Sequence, residues 1–84
     1  METVLIVDDH AGFRAWVREM LESEGFRVVG EASDASSAIT AAEQLQADIV
    51  LLDVHLPDGS GDAIINAVAR DRPGVRFQIG RAHV

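Results

Sequence analysis

The 84-residue chain contains no cysteine, no lysine and no tyrosine, and only two prolines and one tryptophan. Without cysteine there is neither a disulfide framework nor thiol chemistry, a usage that suits a cytoplasmic location. All seven basic side chains are arginines, set against 14 acids, for a formal net charge of −7. That balance argues against direct nucleic-acid binding, which calls for a basic face, and suits a cation or a basic protein surface. No apolar run approaches membrane-spanning length, and the opening METVLIVDD lacks the basic n-region and long apolar core of a secretory signal. There is no G-x-G-x-x-G after the first apolar run and no P-loop, which argues against the common nucleotide cradles. The rest, 48% hydrophobic and 25% charged, is ordinary for one small globular domain.

What is present is alternation. TVLIV, residues 3–7, is a β-branched and aliphatic run bounded by DDHAG, the pattern of a strand buried on both faces. Phe13, Trp16, Val17, Met20 and Leu21 recur at helical spacing and form one apolar face, with Gly25 as the C-cap. FRVVGEA, residues 26–32, reads as a second strand. Residues 33–47 read as a second helix with Ser33 as N-cap and Ala35, Ala38, Ile39, Ala42 and Leu45 facing inward. DIVLLD, residues 48–53, is the most continuous apolar run and a third strand. Ser60 is the N-cap candidate for a third helix carrying Ile64, Ile65, Val68 and Ala69. RPGV ends that helix, and VRFQI, residues 75–79, opens a fourth strand in which Gly80 is a poor strand residue. The order β-α-β-α-β-α-β predicts a parallel sheet with helices on both faces. Function in such folds collects at the carboxyl ends of the strands, near the point where strand order reverses.

Three acids fall there. Asp8 and Asp9 end the first strand and Asp53 ends the third. In a 2-1-3-4 sheet these strands are neighbours, so the carboxylates crowd one edge and at least one pKa should rise. A divalent cation relieves that repulsion, and an all-oxygen donor set suits Mg²⁺. One Asp at a strand end is ordinary turn chemistry. The adjacent pair, plus a third Asp closing IVLL ahead of a Pro-Asp-Gly turn, is far more specific, and an aspartate beside Mg²⁺ is a known phosphoryl acceptor.

LIVDDH, VVGEA and DIVLLDVHLPDGSG together resemble the receiver domain of bacterial two-component response regulators, over residues 3–77. The resemblance implies a flavodoxin-like, doubly wound α/β fold and a phosphorelay role without enzyme turnover. Matched residue by residue, Asp53 is the phosphoacceptor, Asp9 the direct Mg²⁺ ligand and Asp8 the neighbouring acid acting through water. His55 stands where the family uses a main-chain carbonyl as a metal ligand, which leaves its imidazole a bystander; His10 likewise reads as loop. VDDH, FRVVGEA and LLDVHLPDGSG are most similar to the subgroup with a LuxR-type helix-turn-helix output domain. The implied partners are a sensor histidine kinase and, through a C-terminal output domain only, DNA. No membrane is implied, and the resemblance leaves room for a homodimer of the full-length protein.

The pattern departs from the family at its end. A fifth strand and two further helices are expected to be lacking, so the receiver reads as C-terminally truncated. The lysine that closes the family's fifth strand has no counterpart, and the Ser/Thr position of the fourth falls at about Arg81. A permitted back-translation of residues 78–84 resembles a common sequencing adapter, so that segment is expected to be a non-native read-through tail. Two alternatives belong to other classes. A haloacid dehalogenase-type Mg²⁺ phosphatase also places a nucleophilic Asp after an apolar strand, but its pattern wants an Asp where His55 stands and has no use for the Asp8–Asp9 pair. An interaction-only, degenerate receiver is disfavoured for the parent protein by the intact Asp8, Asp9 and Asp53 set, whereas the truncation leaves that reading open for the fragment.

Overall fold

Short apolar runs cannot satisfy their backbone groups alone, and amphipathic helices cannot bury one stripe alone, so each needs the other. The computed structural model describes residues 1–53, 56 and 61–80. The elements are β1 (Thr3–Val7), α1 (Ala11–Ser23), β2 (Arg27–Ala32), α2 (Ala35–Leu45), β3 (Ile49–Asp53), α3 (Gly61–Asp71) and β4 (Arg76–Gly80). The strands form one parallel sheet in the order β2-β1-β3-β4, as the alternation predicts.

Alternate residues of the central strands feed two cores. Val4 and Ile6 pack with Val17, Val28 and the half-buried Phe13 and Leu21 beneath α1. Leu5, Val7, Val50 and Leu52 pack beneath α2 and α3, against Ala35, Ala38, Ala42, Ile64 and Val68. Each fully buried aliphatic side chain contributes about 1.5–3 kcal/mol. Among the described residues, no helix is long and apolar enough to cross a membrane.

The helix ends refine the sequence reading. Gly25 lies one residue beyond the α1 cap, at φ +95°, and Glu24 is the cap residue. The Gly25 N–H donates to the Glu22 carbonyl at 3.2 Å and the Phe26 N–H to Leu21 at 3.0 Å, the paired bonds of a Schellman motif. The α2 N-cap is Asp34, whose side chain accepts from the Ser37 N–H at 2.8 Å, rather than Ser33. The N-terminal boundary of α3 adjoins Ser60, which lies outside the described residues. Trp16 and Met20 are 61% and 42% exposed, because Phe13, Val17 and Leu21 form the line that meets the sheet. Leu45, expected to face inward, is 43% exposed and its tip lies over Gly30, where a Cβ would come within 2.5 Å of it.

The β1–β2 ladder contains a bulge. Val4 pairs with Val28, but Leu5 pairs with Gly30, leaving Val29 as the extra residue. The slip reverses which face each later β2 side chain takes. Glu31 now pairs with Ile6 and falls on the α1 side, whereas unbroken alternation from Val28 would put it on the other. At the sheet's far edge, β4 runs through Gly80, opposite Asp53, despite glycine's poor strand propensity. Gln78, Ile79 and Gly80 fall within the segment expected to be a tail. Backbone pairing of this kind is open to many sequences and carries no information on origin; residues 81–84 lie outside the described residues.

The amino ends of the central strands are tied by a reciprocal clip. Thr3 donates to Asp48 Oδ2 from its N–H at 3.0 Å and its hydroxyl at 3.1 Å. The same hydroxyl accepts from the Asp48 N–H at 3.0 Å.

Candidate functional site

The opposite ends of β1 and β3 carry the acids. The Asp8 N–H donates to the Ala32 carbonyl at 3.0 Å and extends the ladder one residue past β1. The Asp8 carboxylate then accepts from the His10 N–H at 2.8 Å, an Asx turn that breaks the strand and starts α1. His10 completes the turn as the α1 N-cap, its Nδ1 accepting from the Phe13 N–H at 3.1 Å. Its imidazole therefore has a structural task that the sequence did not reveal. Asp9, between them, is exposed.

Asp8, Asp9 and Asp53 offer carboxylate oxygens that all lie within 4.8 Å of one another. The predicted convergence is thus present, on adjacent strands at the point where sheet order reverses. His55, the remaining expected ligand, lies outside the described residues. Asp8 and Asp53 are only 2% and 3% exposed. At an effective dielectric near 20, two charges about 5 Å apart repel by roughly 3 kcal/mol. Burial pushes the Asp8 carboxyl above the usual carboxylate range, the His10 N–H opposes the rise, and the neighbouring Asp53 and Asp9 charges add to it. Asp8 and Asp53 line a cavity of 40 Å³ together with Ile6, Phe13, Leu51 and Leu52. That is the scale of a water or an ion, far below the roughly 300 Å³ of an organic-ligand pocket.

The donor chemistry fits Mg²⁺. All the donor atoms are hard carboxylate oxygens on three mutually repelling residues, two of them buried, and a divalent cation would neutralise them. Two further residues join the site from outside the acid set. Arg14 Nη1 donates to the Asp8 main-chain carbonyl at 2.6 Å, and Arg14 Nε donates to Glu31 at 3.0 Å. Neither was expected from sequence; the strongest available signal was an Arg on the first turns of α1 together with a Glu at the end of β2.

Known proteins place this geometry. The model of the response regulator receiver domain family matches residues 4–80. The nitrate/nitrite response regulator protein NarP of Escherichia coli K12 is 47% identical over 77 residues, 90% of this chain and 35% of that protein. The chain spans about a third of the length of the first curated relatives it matches, two of which are described as transcriptional regulators. Among solved structures, a LuxR-family two-component response regulator from Aurantimonas sp. SI85-9A1 superposes with a TM-score of 0.91 at 29% identity, covering 100% of this chain and 61% of that one. RcsB from Salmonella enterica serovar Typhimurium, bound to a promoter in the presence of phosphomimetic BeF₃⁻, gives 0.84 at 27% identity, covering 100% and 72%. A parallel 2-1-3-4 sheet, an acid cluster at its switch point and a family match spanning nearly every residue leave the dehalogenase-type alternative without support: this chain belongs to the response regulator receiver domains, the phosphoacceptor modules of two-component signalling.

Proposed function

We propose that Asp53 accepts a phosphoryl group from the phosphohistidine of a sensor histidine kinase, with Mg²⁺ held by the same acid cluster. The observation that carries this reading is the approach of the Asp8, Asp9 and Asp53 carboxylates to within 4.8 Å, with Asp8 and Asp53 buried. The hydrogen bonds favour a division of labour. One Asp8 oxygen is engaged by the His10 N–H, which suits an outer acid that acts through water. Asp9 is exposed beside it and suits the direct ligand. Asp53, the last residue of β3, is the nucleophile: its carboxylate oxygen bonds to phosphorus as the phosphorus–nitrogen bond of the donor breaks. Mg²⁺, when bound, supplies neutralisation of the charge brought together there.

The full-length protein, in this reading, regulates transcription through a DNA-binding output domain outside these residues. The LuxR-family and RcsB likenesses support it, as does a net charge of −7 that leaves DNA binding to another domain. The test of the central claim is intact-mass measurement after incubating the protein with a small-molecule phosphodonor and Mg²⁺. A phosphoryl adduct is expected with Asp53 and none with Asp53→Asn. Equal adducts in both would overturn the assignment.

A further inference from the structure

We infer that Arg14, held by Glu31, is a positioning residue that fixes the Asp8–Asp9 peptide and thereby sets the affinity of the acid cluster for Mg²⁺. The inference rests on the Mg²⁺ part of the reading above. Its starting point is the bulge at Val29, which turns Glu31 toward α1. There Glu31 accepts from Arg14 Nε at 3.0 Å and lies 3.2 Å from Arg18 Nε. Of the three side chains, Arg14 is the most enclosed, at 17% exposed against 29% for Glu31 and 40% for Arg18. One edge of the Arg14 guanidinium is thus fixed by a carboxylate, which leaves Nη1 aimed at the Asp8 carbonyl, 2.6 Å away.

That carbonyl belongs to the peptide group joining Asp8 to Asp9, so a short charge-assisted hydrogen bond there restrains both acids at once. The Asx turn from Asp8 to the His10 N–H restrains the same segment from its other side. Glu31 has a second effect. It offsets the arginine's charge, so the guanidinium supplies a directed donor beside a cation site at little cost in repulsion. Outer-shell partners of metal ligands commonly control affinity by about 10–100-fold.

Positioning and plain electrostatics predict opposite signs for one substitution. Arg14→Met keeps an apolar stem but removes a positive charge near the acids. Coulomb's law alone then calls for tighter Mg²⁺ binding. Loss of positioning calls for weaker binding, by roughly tenfold. Calorimetric Mg²⁺ titration of the protein reads the sign directly. Arg14→Lys, which retains the charge and a donor group but not the guanidinium fork, should recover part of the affinity. An independent readout needs no metal: the Asp9 amide ¹⁵N resonance should move in Arg14→Met, because its own peptide carbonyl loses the donor.

Mg²⁺ binding by Arg14→Met as tight as in the unsubstituted protein, or tighter, would overturn the inference and leave the phosphoacceptor reading intact. Absence of Mg²⁺ binding in the unsubstituted protein would overturn both. Should Arg14→Met fail to fold, Glu31→Gln decides, since it keeps Arg14 and releases its tether. Weakening that persists at high salt, where the altered charge is screened, supports positioning; weakening that disappears there overturns it.

Discussion

Asp48 and Asp8 occupy opposite ends of the same central strand pair, and their surroundings act on them in opposite senses. Asp48 accepts from the Thr3 N–H and hydroxyl, and these donors, the backbone one first, hold its carboxyl below the usual carboxylate range. Asp8 is buried, accepts from the His10 N–H alone among the described residues and faces two other carboxylates; burial above all holds it above that range. Residue type is therefore a poor guide to role. A carboxylate whose donors all come from the protein closes a structural clip. A buried carboxylate surrounded by more negative charge calls for a cation from outside.

The largest expected effect breaks the comparison at the carboxyl end. With Mg²⁺ at a hundredfold excess over its dissociation constant, a ligand that binds only the folded state stabilises by about 2.7 kcal/mol. Thermal melts of the protein should rise accordingly on adding Mg²⁺. Asp9→Asn should lose nearly all of that rise, and Asp48→Asn should keep it. A full rise in Asp9→Asn would show that the cation, if bound, binds elsewhere.

A smaller effect is expected without metal, and it has a sign. Because the folded-state pKa of Asp8 lies above its unfolded value, the folded protein holds this proton more tightly than the unfolded chain. Below the ordinary carboxylate range Asp8 costs nothing. As pH rises from there through its raised value, stability falls, and the full penalty is present above that value. Asp8→Asn retains an acceptor for the His10 N–H but has no proton to lose. Its metal-free stability should be higher at neutral pH and flatter across that window. A profile parallel to that of the unsubstituted protein would contradict this.

The acids were legible in the sequence because strand alternation alone decides where an apolar run ends. Asp8, Asp9 and Asp53 close β1 and β3 whatever the packing details, so their meeting follows from strand order. Features that depend on one-residue choices were not legible. Ser33 and Asp34 are both good caps, and only the backbone shows that Asp34 is used. The five apolar positions of α1 report which residues favour burial, not how much sheet lies under them, so the exposure of Trp16 and Met20 was hidden. The bulge mattered most. Val28 and Val29 look like a regular strand, yet the extra residue reverses the facing of Glu31 and creates the Arg14 contact next to the acids.

The smallest expected effect tests the amino-terminal half of the comparison. Thr3→Val keeps the side-chain shape and the Thr3 N–H bond to Asp48, but removes the hydroxyl that both donates to and accepts from that residue. With one donor gone, the Asp48 carboxyl should move back toward its ordinary range, which a carboxyl NMR titration reads residue by residue. Since its folded-state pKa is lowered, Asp48 contributes stability above the ordinary carboxylate range and loses it as pH falls through the lowered value. Thr3→Val should shrink that contribution and lower the melting temperature by no more than a few degrees. The Mg²⁺-induced rise should stay whole, because the clip and the acid cluster lie at opposite strand ends. If Thr3→Val diminished that rise as much as Asp9→Asn does, the two ends would be coupled through the sheet and the separation argued from their opposite electrostatics would fail.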